Sequence, residues 1–324
     1  AVNTAGTLGS VTIGSGGSNV VYTAGSAFLG LADGEVATDT FIYTMVDSAG
    51  VQSSALVTVT ITGVNNAPVA VADTAAATEN GAAITINVLA NDSDVDTGDS
   101  TSVISVDGSG LQGTVSVAAG GGGVVYAVGG AFQSLRAGVT ATETFTYTMA
   151  DRGGMQSTAS VTVTVTGTND APVAIADGAA AAEDGGPITL NVLANDIDVD
   201  AGDSKSVVAI NTTGLKGTAA ISADGLGIVY TPYQSLRAGQ TANETFTYTV
   251  RDSAGAQSTA TVTVTVIGEN DAPVAVANAV TLSEDAAPTT IAVLANDTDA
   301  DLGDTKRVLS VDSAGLLGTV SISA

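Results

Sequence analysis

The residues best suited to chemistry in this sequence are carboxylates held at one fixed spacing. The pattern Asn-Asp-x-Asp-x-Asp-x-Gly-Asp occupies Asn91, Asp92, Asp94, Asp96, Gly98 and Asp99. It returns at Asn195, Asp196, Asp198, Asp200, Gly202 and Asp203, and again at Asn296, Asp297, Asp299, Asp301, Gly303 and Asp304. Four carboxylates packed so closely repel one another unless water or a cation screens them, and no Lys or Arg stands inside any copy. A hard cation suits such a loop, because calcium takes roughly six to eight oxygen ligands in a flexible geometry. One copy alone reads as a solvated acidic turn. Three copies in one phase read as calcium sites. The loop is not an EF-hand, which needs Gly at its sixth position and Glu at its twelfth; counted from Asp92, those positions hold Thr97 and Val103.

Further acids keep the same phase. Glu79, Glu183 and Glu284 form one set, and Asp47, Asp151 and Asp252 another. Asp170 and Asp271 lie in Gly-x-Asn-x-Ala-Pro segments, where the first such segment carries Asn66. Each also has a plain reading as a turn or surface acid. If these segments bind calcium, the one with Asn66 is expected to bind most weakly, since an amide offers an oxygen but no charge.

Composition narrows the chemistry. The chain has no His and no Cys, which removes the usual general base, the usual transition-metal ligand, thiol nucleophiles and disulfides. Acids outnumber bases 33 to 8, for a net charge of -25, and no Lys or Arg precedes Arg136. Such a chain repels nucleic acid and anionic membrane and attracts cations. Hydrophobic residues make up 44%, too many for a chain left disordered by its charge. No signal peptide and no apolar run of transmembrane length is visible, so no direct membrane insertion is expected.

The elements that must position the acids are themselves repeated. Asp92, Asp196 and Asp297 are 104 and 101 residues apart, and Thr-Phe-x-Tyr-Thr returns at Thr40, Thr144 and Thr245 with the same spacings. A period near one hundred is a whole domain rather than a solenoid unit. Joints fall at Gly63–Pro68, Gly167–Pro172 and Gly268–Pro273, where Pro breaks pairing and stiffens a linker. The expected division is 1–65, the back half of a repeat; 66–169 and 170–270, complete repeats; and 271–324, the front half of another. The end pieces read as parts of repeats in a longer chain.

Within a repeat the pattern is alternation. Val161, Val163 and Val165 share one face of a segment whose other face is Thr, which is a half-buried strand. Phe145 and Tyr147 alternate likewise. Further strands are expected over 69–72, 84–89, 102–106, 114–117 and 124–128, with a helical turn or two at 131–137. About seven short strands per repeat argue for an all-β, Greek-key β-sandwich. Aromatics supply only 4% of residues, so each core rests on Val, Ile and Leu, and a metal staple would add to it.

With these residues in hand, the chain resembles the VCBS and cadherin-like, immunoglobulin-like tandem repeats of large bacterial surface adhesins, including RTX adhesin extender regions. The resemblance spans the chain and rests on Asn195–Asp203, Thr245–Thr249 and Asn270–Val274. It implies sandwiches strung end to end, with calcium stiffening the joints, in a protein secreted to the bacterial cell surface. By analogy with cadherin joints, the upstream Glu183, the linker Asn270 and Asp271, and the downstream Asp297 and Asp299 would share ions; Asn169 and Asp170 are the corresponding linker pair one repeat earlier. The cadherin Asp-Arg-Glu motif is lacking, so fewer ions per joint are expected. Neighbouring repeats are the expected partners, with identical chains in a fibre or biofilm as a further one. The leading functional expectation is a spacer. A glycan- or protein-binding module comes second, since the repeats differ mainly in one loop between Gly113 and Arg136. Carboxylate-pair hydrolysis comes last, because one active site copied three times is an odd design.

Overall fold

The computed structural model describes residues 1–323 and divides into two compact units, 1–168 and 169–324. In the first unit, β1 (Val2–Asn3), β2 (Ser10–Ile13), β3 (Val20–Thr23), β4 (Val36–Val46) and β5 (Gln52–Thr62) form a three-stranded sheet, β1-β4-β5, and a hairpin, β2-β3. Seven strands follow: β6 (Asp73–Thr78), β7 (Ile84–Ile86), β8 (Ser102–Asp107), β9 (Thr114–Val117), β10 (Val124–Ala127), β11 (Thr140–Ala150) and β12 (Gln156–Thr166). They make two sheets, β6-β12-β11-β8 and β7-β10-β9. The chain therefore crosses between sheets at β6 to β7, β7 to β8, β8 to β9 and β10 to β11, which is the Greek-key arrangement of a β-sandwich. The second unit repeats the plan with β13 (Asp177–Ala182), β14 (Ile188–Leu190), β15 (Ser206–Asn211), β16 (Thr218–Ile221), β17 (Ile228–Thr231), β18 (Thr241–Arg251) and β19 (Gln257–Ile267), in sheets β13-β19-β18-β15 and β14-β17-β16. Among the described residues after Ile267 no strand forms, and Val274 and Thr298 make a single bridge.

The Val/Thr alternation does what its period demands. Val161, Val163 and Val165 on β12, and Val262, Val264 and Val266 on β19, are fully buried. Thr148 faces Thr158 across the outer surface, hydroxyl to hydroxyl, at 3.1 Å. Tyr126 stacks on Phe145 at 6.4 Å between ring centroids, as Tyr230 does on Phe246 at 6.2 Å. Each buried Val of this kind is worth about 1.5–3 kcal/mol relative to an exposed one, so the alternating strand is the main anchor of its sandwich.

Three expectations need correction. The strand expected over 84–89 ends at Ile86, and Val88–Ala90 is a 3-10 turn that buries Val88. Residues 69–72 are not a strand: Val69 makes one bridge, to Ser93, and Val69 and Val71 are exposed. The first strand is instead the Ala-rich β6, which runs parallel to β12 from the pair Asp73–Val161 to Thr78–Thr166. Ala is a weak strand former alone, but its small side chain lets the strand lie close against the core, and Ala77 is buried there. The helical turn at 131–137 is a single 3-10 turn, Gly130–Phe132, that drives Phe132 into the core.

Buried acids stand away from the acidic loops as well. Glu143 accepts from the Tyr126 hydroxyl at 2.7 Å and from the Gly113 and Gln112 amides. Glu244 does the same with Tyr230, Lys216 and Gly217. A carboxylate is tolerated inside a sandwich only when its oxygens are satisfied in this way. These glutamates tie the loop before β9 or β16 to the long strand β11 or β18.

Candidate metal centre

Each acidic loop folds onto itself by the same bonds. Asp94 Oδ1 accepts from the Asp96 amide at 2.9 Å, Asp198 Oδ1 from Asp200 at 3.0 Å, and Asp299 Oδ1 from Asp301 at 3.1 Å. The next turn is closed by the amides of Asp99, Asp203 and Asp304 donating to the carbonyls of Asp96, Asp200 and Asp301. Between them Gly98, Gly202 and Gly303 adopt φ of +79°, +74° and +78°, a region that a side chain enters only with strain. The motif's glycine is thereby explained: the turn it allows brings Asp94 within reach of Asp99, Asp198 of Asp203, and Asp299 of Asp304.

The converging carboxylates fall into two kinds of group. Asp94, Asp99 and Asp151 form the first, with one oxygen from each within 4.8 Å of the others; in the later loops Asp198, Asp200 and Asp203, and Asp299, Asp301 and Asp304, converge likewise, with the middle Asp in the place that Asp151 takes in the first. Asp252 adds its negative charge beside Asp198. The second kind joins Glu183, Asp271 and Asp301. Asp301 thus belongs to two groups at once. Glu183 comes from the turn after β13, Asp271 from the segment after β19 and Asp301 from the loop, so the group ties three stretches far apart in sequence.

The electrostatics of these groups is dominated by like charge. Burial pushes the Asp271 carboxyl upward, and the charges of Asp184, Asp301, Glu183 and Asp299 add to the shift. Asp198 is likewise raised, first by burial and then by Asp203, Asp200 and Asp252, against one backbone bond that lowers it. Among the described residues, Asp94 Oδ2, Asp198 Oδ2, Asp271 Oδ2 and Asp301 Oδ1 are buried with no hydrogen-bond donor. Asp301 as a residue is only 2% exposed. Orphaned buried carboxylate oxygens are costly unless something positive meets them. An all-oxygen donor set of carboxylates and turn carbonyls fits calcium in type and flexibility.

The expected ligands also make hydrogen bonds of their own, and some stand outside the groups. Asp92 accepts from the Val71 amide at 2.7 Å and the Tyr147 hydroxyl at 2.8 Å. Asp196 does so from Ile175 at 2.7 Å and Tyr248 at 2.8 Å, and Asp297 from Val276 at 2.7 Å. These three clip the chain after each Pro to its loop and stand outside the groups, so Asp301 rather than Asp297 meets Glu183 and Asp271. Asp96 accepts from Asn66, and Asp170 donates its amide to Asp200 at 3.0 Å. Asp151 and Asp252 each cap the turn after β11 or β18 and accept from Asn65 and Asn169. Asn169 is therefore seen as a donor to Asp252, and Asn270 donates to the Asp271 carbonyl at 2.8 Å. Glu79 is buried and accepts from Thr168 through both amide and hydroxyl. Glu284 is exposed and joins no group among the described residues.

Sequence reasoning passed over Asp73 and Asp177. Both carboxyls are raised by burial, with the charge of Asp92 or Asp196 adding to it, and the Tyr147 or Tyr248 hydroxyl opposes the rise. Their signal was phase alone, since Asn278 stands at the next position in the series. Arg237 was also missed: it donates to the carbonyls of Leu302 and Gly303, bracing the third loop.

Fold and loops together define a tandem β-sandwich repeat with oxygen-lined acidic sites at its ends. A family model described as bacterial cadherin-like domain matches residues 65–167 and 169–268, well over half of the sequence. The chain belongs to that family. A bacterial Ig domain model matches residues 270–324. Among solved structures, mouse cadherin-23 EC22-24 is similar at 15% identity and a TM-score of 0.49, covering 82% of this chain and 83% of that one. Protocadherin gamma B2 cadherin domains 1-5 are similar at 13% identity and a TM-score of 0.44, covering 87% of this chain; the chain spans 55% of that structure's length. No curated protein matches the sequence. Among the described residues, no helix is long and apolar enough to cross a membrane.

Proposed function

We propose that this chain is a spacer segment of a secreted bacterial surface adhesin or extracellular filament, and that calcium stiffens its repeats. The observation that carries the reading is Asp301: it is nearly fully buried, one oxygen lacks a donor, and it belongs to two carboxylate groups. Asp299, Asp301 and Asp304 would hold an ion inside the loop. Glu183, Asp271 and Asp301 would hold one between the 170–270 sandwich and the segment that follows. Calcium supplies the missing charge and fixes the direction in which the chain leaves the sandwich. In this reading there is no catalytic role, because the carboxylates recur in phase and serve the same loop each time. Neighbouring repeats are the partners that the sites address.

Thermal unfolding of the full chain with calcium and with chelator tests the proposal. An ion that binds only the native state adds about 2.7 kcal/mol per site at a hundredfold excess over Kd. A clear rise in melting temperature is expected, reduced when Asp299 and Asp301 are changed to Asn. Equal melting with calcium and with chelator would reduce the loops to plain acidic turns.

A further inference from the structure

Three linkers hold the same phase, and the first and last of them solve the same problem with different chemistry. At the later one, the Asp271 amide donates to Asp301 Oδ2 at 3.1 Å, while Asp301 Oδ1 and Asp271 Oδ2 have no donor. At the earlier one, residue 66 is Asn. Its main-chain amide makes the same bond, to Asp96 Oδ2 at 2.7 Å. Its side-chain Nδ2 then donates to Asp96 Oδ1 at 3.0 Å, the oxygen whose counterpart on Asp301 is orphaned. The same nitrogen reaches the Val64 carbonyl at 3.2 Å and the Leu29 carbonyl at 3.4 Å. One NH2 group thus faces three oxygens from three parts of the chain.

We infer that Asn66 serves as a built-in substitute for the cation, so that the joint at residues 63–68 is set without calcium while the joint at 268–273 depends on it. An amide NH2 presents positive hydrogens to oxygens, as a bound ion presents charge, and it does so with no counter-charge to balance. Burying Asp96, at 3% exposed, is then paid by donors rather than by metal. The two joints share their main-chain contact: the Thr97 amide donates to the Gly30 carbonyl at 3.0 Å, and the Leu302 amide to Ser235 at 3.2 Å. What differs is the group at the centre, Asn66 against Asp271, together with Glu183, which has no in-phase counterpart among residues 1–65. Arg237, which braces the third loop, is matched in phase by Ala32 at the first, so no guanidinium assists there, and Asn66 acts alone. The effect is one chain with two kinds of joint, one fixed at synthesis and one set by the surrounding calcium.

The inference rests on the calcium reading of Asp271 and Asp301, and the test separates the two. Native mass spectrometry of the full chain counts bound calcium in the wild type, in Asn66→Asp and in Asp271→Asn. Asn66→Asp should hold one ion more than the wild type, and Asp271→Asn one ion fewer. Melting in chelator checks the fold: Asn66→Asp, with a carboxylate now set against Asp96, should melt below the wild type and recover on adding calcium. If Asp271→Asn loses an ion but Asn66→Asp gains none, the substitute role of Asn66 is wrong and the calcium reading stands. If Asp271→Asn keeps every ion, the calcium reading of that joint fails, and this inference with it.

Discussion

Changing Asp198 to Asn separates a cation site from an acidic turn by the sign of its effect. Asp198 Oδ1 caps the Asp200 amide and Oδ2 has no donor. An Asn keeps the capping oxygen and replaces the orphan with an NH2 of the same size. Asp200 and Asp203 each bring an oxygen within 4.8 Å. At that distance each like-charge pair costs about 1 kcal/mol if screened as in water and about 3.5 kcal/mol at an effective dielectric constant near 20. Without calcium the variant should therefore be more stable than the wild type by roughly 2 kcal/mol or more for the two pairs together. In a domain of this size each kcal/mol moves the midpoint by about 4–8 °C, so calorimetry in chelator should show the gain plainly. With saturating calcium the order should reverse, because the variant has lost a charged ligand and each 1.4 kcal/mol of lost affinity is a tenfold weaker Kd. Two melting curves crossing between chelator and calcium are the expected result. A variant less stable in both conditions would show that Asp198 is only a cap, and the electrostatic reasoning would be wrong.

Other outcomes follow from the same structure. Tyr248→Phe removes the hydroxyl that satisfies Asp196 at 2.8 Å and the Ile175 and Val192 carbonyls at 3.1 Å; denaturant unfolding should show a loss of about 1–3 kcal/mol, equal with and without calcium. Val163→Ala, at a fully buried position on β12, should cost about 2 kcal/mol by the same assay. The Asp177 carboxyl is raised in the fold, by burial first and by Asp196 next, so its protonated form favours the native state. Its contribution is present in acid and is lost as pH rises through the folded-state value. Asp177→Asn should accordingly raise the calcium-free melting temperature at neutral pH and leave it unchanged at pH values below the ordinary carboxylate range.

How much of this was legible in the sequence depended on the range of the interaction. The Val161-Val163-Val165 strand was readable because its period carries its burial in seven residues. The strand β6 was not, because Ala residues gain strand character only from β12, which lies 88 positions further on in the pairing of Asp73 with Val161. The acidic loops were readable as loops, and Gly98 marked the turn. Which of their carboxylates converge was not readable. Asp92 and Asp196 look like their neighbours on the page, and the Val71 and Ile175 amides together with the hydroxyls of Tyr147 and Tyr248, more than fifty residues away, hold them apart from the cluster. Asn66 read as a weakened ligand, whereas the fold uses the donor end of its amide.

The parallel pairing of β6 with β12 has a mechanical consequence. The chain enters the sandwich along β6 at one pole and leaves along β12 at the other, and the two strands lie side by side over six registered pairs from Asp73–Val161 to Thr78–Thr166. Traction on the two ends pulls these strands past each other along their length. The rungs between them then carry the load together, as in a lap joint, instead of opening one after another like a peeled seam. The strand pair β13 and β19 repeats the arrangement from Asp177–Val262 to Ala182–Ile267. Extension under tension is then resisted by whole ladders, each of which must shear before its sandwich can open.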